Sequence, residues 1–161
     1  IIAPAGSADG FRRGAGSAAL VELVDIFPTI CELANLPLPA APEDVGELEG
    51  LSLVPLMREP ELPWKQAVFS RVGVDNPDPK AGPLQGVGVT IRDERYRLVE
   101  WRLPWREEPG HQYELYDLDL DPHSTVNLAS SQDYQTALQH MRQLQRTGWR
   151  GIRRRLLADL K

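Results

Sequence analysis

The chain has 161 residues, a single cysteine and a net charge of −5, with a pI near 5.2. That length suffices for one ordinary domain that buries roughly 70% of its unfolded surface without help from a metal or a disulfide, and one thiol permits no internal disulfide. The acid excess argues against a nucleic-acid surface for the chain as a whole. No apolar run approaches the ~20 residues of a membrane span, and no basic, apolar, small-residue series marks a signal peptide.

The chain opens on Ile1-Ile2-Ala3-Pro4, without methionine, in what reads as the end of a buried strand, so a piece of something longer is expected. After a Gly/Ala/Ser-rich loop from Gly6 to Ser17, Leu20 to Val24 alternates briefly and Asp25 stands where a helix N-cap belongs. Ile26, Phe27, Ile30, Cys31, Leu33 and Ala34 keep helical spacing, and Pro28 falls in the first turn, where its missing N–H costs nothing. These positions predict a helix over 26–35. Pro37, Pro39, Pro42 and the acidic patch from Glu43 to Glu49 read as a solvated linker, and Leu51 to Met57 as one or two helical turns. The composition shift predicts a domain boundary near residue 50, dividing 1–50 from 51–161.

Beyond it the period changes to two. Ala67 to Val72 is a strand candidate; Val87, Val89 and Ile91 alternate towards a tight turn at Asp93-Glu94; Tyr96 to Trp101 returns as the partner strand, and Tyr113 to Leu118 adds another. Strands that follow one another without intervening helices favour antiparallel pairing, and a sheet with one apolar face needs a cover. Tyr134, Ala137, Leu138, Met141 and Leu144 supply it as one helical stripe. Gly148 and Gly151 are expected to bend or interrupt that helix before Ile152, Leu156, Leu157 and Leu160 resume. The fold class read from this pattern is α+β, a small antiparallel sheet covered by a C-terminal helix.

Asp117, Asp119 and Asp121 alternate with leucines and end at Pro122, which raises metal binding, acid chemistry or a strand end as explanations. An EF-hand loop beginning at Asp117 needs glycine at its sixth position and glutamate at its twelfth, where Pro122 and Leu128 stand. A haloacid-dehalogenase-type phosphatase also spaces two aspartates this way, but its long α/β continuation does not fit in the remaining forty or so residues. The stop signal is the stronger reading: proline cannot continue the ladder, aspartate favours turns, and Ser124, Thr125 and Asn127 cap the chain locally. His111, His123 and His140 lie far apart without ligand spacing and read as surface or turn residues. Arg150 with Arg153, Arg154 and Arg155 reads as favourable charge on the last turns of a helix; a patch facing a polyanionic substrate is the alternative.

The order Glu114 to Asp117, Asp121-Pro122 and Asn127 to Ala129 resembles the closing signature of the sulfatase family. Val21-Glu22-Leu23-Val24-Asp25-Ile26-Phe27-Pro28-Thr29 resembles the helix after that family's last catalytic strand, in wording nearest to iduronate-2-sulfatase-like members. Gly88 to Arg92 with Tyr96-Arg97-Leu98 resembles its C-terminal hairpin. The resemblance implies that residues 1–50 are a remnant strand and helix of a larger α/β, alkaline-phosphatase-like catalytic domain, followed by a C-terminal α+β subdomain at 51–161. It implies a parent that hydrolyses sulfate esters with a formylglycine and calcium held in an N-terminal catalytic domain, and an extracytoplasmic compartment. Formylglycine arises from the cysteine or serine of a Cys/Ser-x-Pro/Ala-x-Arg motif. Cys31 stands in Cys-Glu-Leu-Ala-Asn, on an apolar helix stripe and without the arginine, so it reads as a core residue. No cofactor is expected in this chain, and the chain alone is expected to be inactive.

What the chain then offers is a pocket rim. Asp75 to Gln85 and Arg102 to His111 are its two rich loops, and Lys80, Arg102 and Arg106 suit sulfate or uronate groups, while Trp105 suits a sugar face. The expected partners are the N-terminal catalytic domain of the same protein and a sulfated small molecule or glycan, with no nucleic acid and no membrane span. The competing reading is an independent small α+β binding module without catalysis.

Overall fold

The computed structural model describes residues 10–39, 48–75, 86–104 and 112–159. The chain forms two compact units, Ile1–Lys65 and Gln66–Lys161.

In the first unit a 3₁₀ turn, Leu23–Asp25, runs straight into α1, Ile26–Leu33. α1 turns Pro28, Thr29 and Cys31 inward. It ends where Asn35 enters the left-handed region at φ 52° and the Leu36 N–H donates to the Cys31 carbonyl at 2.8 Å, a closure that glycine or asparagine suits. Asp25 precedes the helix as expected, but its carboxylate makes no cap to α1. It is drawn elsewhere: it accepts the Glu22 N–H at 2.9 Å and the Leu51 N–H at 2.8 Å, and the Lys65 ammonium at 2.7 Å. Thr29 continues the same seam, donating its hydroxyl to the Asp25 carbonyl and accepting the Leu53 N–H at 2.9 Å. Residues 51–65 thus fold back onto α1 and carry the short α2, Val54–Arg58, with proline in its first turn. Gly50 makes the close approach possible, because a Cβ there would overlap the Val24 carbonyl.

The second unit is a four-stranded antiparallel sheet in the order β1-β2-β3-β4, with β1 Val68–Val74, β2 Gly86–Arg92, β3 Tyr96–Arg102 and β4 Gln112–Asp117. All four strands fall where the period of two places them. Asp93 forms the β2–β3 turn by accepting the Arg95 and Tyr96 N–H groups at 2.9 and 2.6 Å. The pairings Phe69 with Ile91, Ile91 with Leu98 and Leu98 with Leu115 line up one residue from each strand on one face. α3, Gln135–Asp159, covers that face, and Leu138, Met141, Leu144 and Ile152 join Ile91, Leu98 and Leu115 in the core. The helix stripe therefore packs as its spacing predicts. Gly148 interrupts α3 with φ 66° and ψ 169°, whereas Gly151 is helical. On the other face, Trp101 lies across Gly88, its cross-strand partner, so closely that a Cβ at 88 would come within 2.6 Å of the ring.

Candidate functional site

β3 places Leu98, Glu100 and Arg102 on the face that α3 covers, because side chains two apart share a side of the sheet. Glu100 is therefore a buried carboxylate, and burial of a charge requires partners. It has them: its Oε2 accepts the Gln145 amide of α3 at 2.6 Å and an Arg102 N–H at 3.2 Å. Arg102, the one rim candidate within the described residues, thus stands at the end of β3 with an exposed guanidinium tethered at its base. Lys80, Trp105 and Arg106 lie outside the described residues.

A second locus forms at the opposite end of the sheet. Arg95, just past the β2–β3 turn, donates through Nε and Nη to the Asp117 carboxylate, the shortest contact being 2.7 Å. Asp117 is fully buried. The Arg95 hydrogen bonds, which outweigh the opposing effect of burial, hold its carboxyl below the ordinary aspartate value of 3.8. Arg95, Tyr96, Asp133, Tyr134, Ala137 and His140 line an open cavity of about 560 Å³ beside this pair. Burial raises the Tyr96 phenol, so it stays protonated at neutral pH as a hydrogen-bond donor. Burial, followed by the Glu114 hydrogen bond, does the same for Tyr116 on the other face. Neither locus pairs a nucleophile with a base.

The aspartate run divides its labour rather than converging. Asp117 is committed to Arg95. Asp121 accepts the Val126 and Thr125 N–H groups, which keep its carboxyl below the usual range, and so shapes the turn. Asp119 is exposed beside Arg95 at 3.6 Å. The run does end the strand, but its first member is also half of a buried ion pair. Among the described residues no group of three or more His, Cys, Asp and Glu side chains is placed to hold a metal ion. Asn127 reaches further than a local cap: its side chain accepts the Leu115 N–H at 3.1 Å and donates to the Tyr113 carbonyl, fastening the loop to β4. The Ser124 hydroxyl, expected to cap, is buried and finds no hydrogen-bond partner among the described residues. His123 is exposed, His140 Nε2 lies 3.3 Å from Asp93, and His111 falls outside the described residues. Cys31 is buried in α1.

The Asp117 shift makes a pH prediction. A carboxyl held below its unfolded value adds stability above that value, and the contribution disappears as pH falls through the native value. Below about pH 4, stability of the wild-type second unit should therefore decline more steeply with pH than that of Asp117→Asn. Urea melts at pH 4, 3 and 2.5 read this; parallel curves for the two proteins would exclude Asp117 as a source of the acid sensitivity.

Known proteins match this layout. The family model described as N-sulphoglucosamine sulphohydrolase, C-terminal, matches residues 8–148. Arylsulfatase K of Rattus norvegicus is 28% identical over 122 residues, covering 75% of this chain and 20% of its own length. An arylsulfatase of Clostridium perfringens is 22% identical over 133 residues, covering 83% of this chain and 23% of its own length. The solved structure of BT4656 in complex with its substrate D-glucosamine-2-N,6-O-disulfate shares the fold, with a TM-score of 0.65 and 19% identity over 89% of this chain and 27% of that one. The phosphonate monoester hydrolase of Agrobacterium radiobacter superposes with a TM-score of 0.53 and 26% identity over 78% of this chain and 24% of that one. The chain spans only about a fifth of the length of the curated relatives it matches. With the family model covering most of its residues, and with the sheet and helix expected of such a domain in place, the chain belongs to the N-sulphoglucosamine sulphohydrolase C-terminal family of sulfatase domains.

Proposed function

We propose that the chain is the C-terminal part of an enzyme that hydrolyses sulfate esters of a sulfated sugar, and that it braces an N-terminal catalytic domain of the same protein and edges its pocket. In this reading formylglycine and calcium belong to that domain, and Arg102, with Lys80, Trp105 and Arg106, meets the substrate. The observation that carries the reading is the outward face of the first unit. Leu23, Phe27 and Ile30, spaced four and three apart, are 90%, 49% and 57% exposed, and that spacing puts them on one side of the 3₁₀ turn and α1. Val21, Val24 and Ile26 widen the apolar surface. An apolar patch of this kind usually marks an interface. The name arylsulfatase K supports sulfate-ester hydrolysis, and the sulfated sugar is suggested by the disulfated-glucosamine complex that shares the fold.

The test compares the chain with a longer protein that carries its natural upstream sequence. The longer protein should turn over a generic aryl sulfate, and the isolated chain should not. Phe27→Ser should change the isolated chain's stability by no more than about 0.5 kcal/mol, as exposed substitutions do. In the longer protein it should cost about 3–5 kcal/mol, as the loss of a buried aromatic does. An equally small effect in both would remove α1 as the docking face and favour the independent binding module.

A further inference from the structure

We propose that the arginine-rich part of α3 is a binding surface for a sulfated polysaccharide, separate from any catalytic pocket. Six arginines, Arg142, Arg146, Arg150, Arg153, Arg154 and Arg155, fall within fourteen residues, and no carboxylate occurs between Asp133 and Asp159, in a chain whose net charge is −5. A third of the chain's 18 lysines and arginines thus stand on one stretch of one element, unbalanced by acid there. The apolar stripe of that element, Leu138, Met141, Leu144, Ile152 and Leu156, is buried, which leaves the arginines to the remaining faces. Arg146, Arg150, Arg154 and Arg155 are exposed. Among the described residues none of these four is in an ion pair. Arg150 stacks on Trp149 with its guanidinium 4.4 Å from the ring, and Arg142 on Tyr113 at 4.8 Å. Such stacking holds the guanidinium plane while leaving N–H donors at its edge.

The helix gains little from this placement. Charge–dipole stabilisation is confined to the final turn of a helical segment: Arg146 gains it just before the break at Gly148, but the last turn of α3 carries no basic residue. Arg150 stands instead just after the break at Gly148, at the start of the second helical segment, where a cation is disfavoured. Arg142 with Arg146, and Arg150 with Arg154, are like charges four apart, which repel. Among the described residues no carboxylate is ion-paired with these four to offset that repulsion, and an external polyanion would. A membrane fits poorly, since an interfacial helix must insert its apolar face and here that face is committed to the core. A lone sulfate also fits poorly, because the arginines spread along two helical segments rather than converging. An extended chain with repeated sulfates matches both the spread and the fork geometry of guanidinium towards oxyanions. The choice of a sulfated polymer over other polyanions rests on the sulfatase reading.

The experiment uses the chain itself and the variant Arg146→Gln/Arg150→Gln/Arg154→Gln, all at exposed positions, with folding checked by circular dichroism. Binding to immobilised heparin is measured from ~50 mM salt upwards, where bound polyanions are released by rising salt. Soluble heparin oligosaccharide, unsulfated hyaluronan, duplex DNA of matched charge and phosphatidylserine vesicles serve as competitors. The wild type should bind, heparin oligosaccharide should compete best, and the folded variant should bind at least tenfold more weakly. Absence of binding at ~50 mM salt, or undiminished binding by the variant, would overturn the proposal. Competition by DNA or vesicles at least as strong as by heparin oligosaccharide would overturn it in favour of a nucleic acid or a membrane. Turnover by the longer protein is scored separately, so loss of the sulfatase reading and loss of this surface give different results.

Discussion

Lys65→Met should destabilise the first unit by about 3–5 kcal/mol, the cost of stripping one partner from a buried ion pair. The Lys65 side chain is 4% exposed and that of Asp25 is inaccessible, with Glu22 completing the cluster at 2.7 Å. Removing the ammonium leaves a buried carboxylate without its counter-ion. The expected loss exceeds that of an ordinary surface ion pair because the same Asp25 carboxylate orders the chain at Glu22 and Leu51. Asp25→Asn keeps an acceptor for one of those N–H groups, so it should cost less than Asp25→Ala. Hydrogen exchange within α1 reports on this unit directly; protection there that is unchanged by Lys65→Met would show that the cluster is not what holds residues 51–65 against the helix.

Leu115→Ala should cost about 2–5 kcal/mol through lost burial and the cavity left behind. Leu115 has no accessible surface and sits with Leu98, Leu138 and Met141 in the core of the second unit. The backbone bonds of residue 115 to Asn127 and Leu128 do not involve its side chain, so the effect isolates packing. Leu120→Ala is the control, since Leu120 is 72% exposed, and it should stay within about 0.5 kcal/mol. Equal chemical-denaturation midpoints for the two variants would mean that the helix does not pack on this face.

The elements that local pattern controls were legible from residues alone. Alternation at Val87, Val89 and Ile91 placed β2, and the stripe from Tyr134 to Leu144 placed α3, because each pattern repeats often enough to choose one period over the other. What stayed hidden depends on partners distant in sequence. Asp25 looks like a cap because caps are local, yet its cation lies forty residues away. Asp117 looks like a turn residue until the register sets Tyr96 opposite it, which brings Arg95 within reach. Glu100 carries a weaker signal that the pattern does contain: a charged residue between Leu98 and Arg102, on the face where apolar residues belong. Gly50 stands at the edge of an acidic, proline-rich stretch, and nothing in its neighbours foretells the close approach to Val24.

The break at Gly148 solves a mismatch of lengths. An uninterrupted helix of 25 residues would extend about 37 Å at 1.5 Å per residue, whereas strands of six or seven residues reach only about 20–24 Å. A straight rod would overshoot the sheet and carry its far end past the edge. The left-handed backbone at Gly148 redirects the chain, and Ile152 rejoins the core that holds Leu138 and Met141. A glycine beside which an added Cβ would meet only open space thus acts as a hinge pin, fitting a long element to a small sheet through its conformation alone.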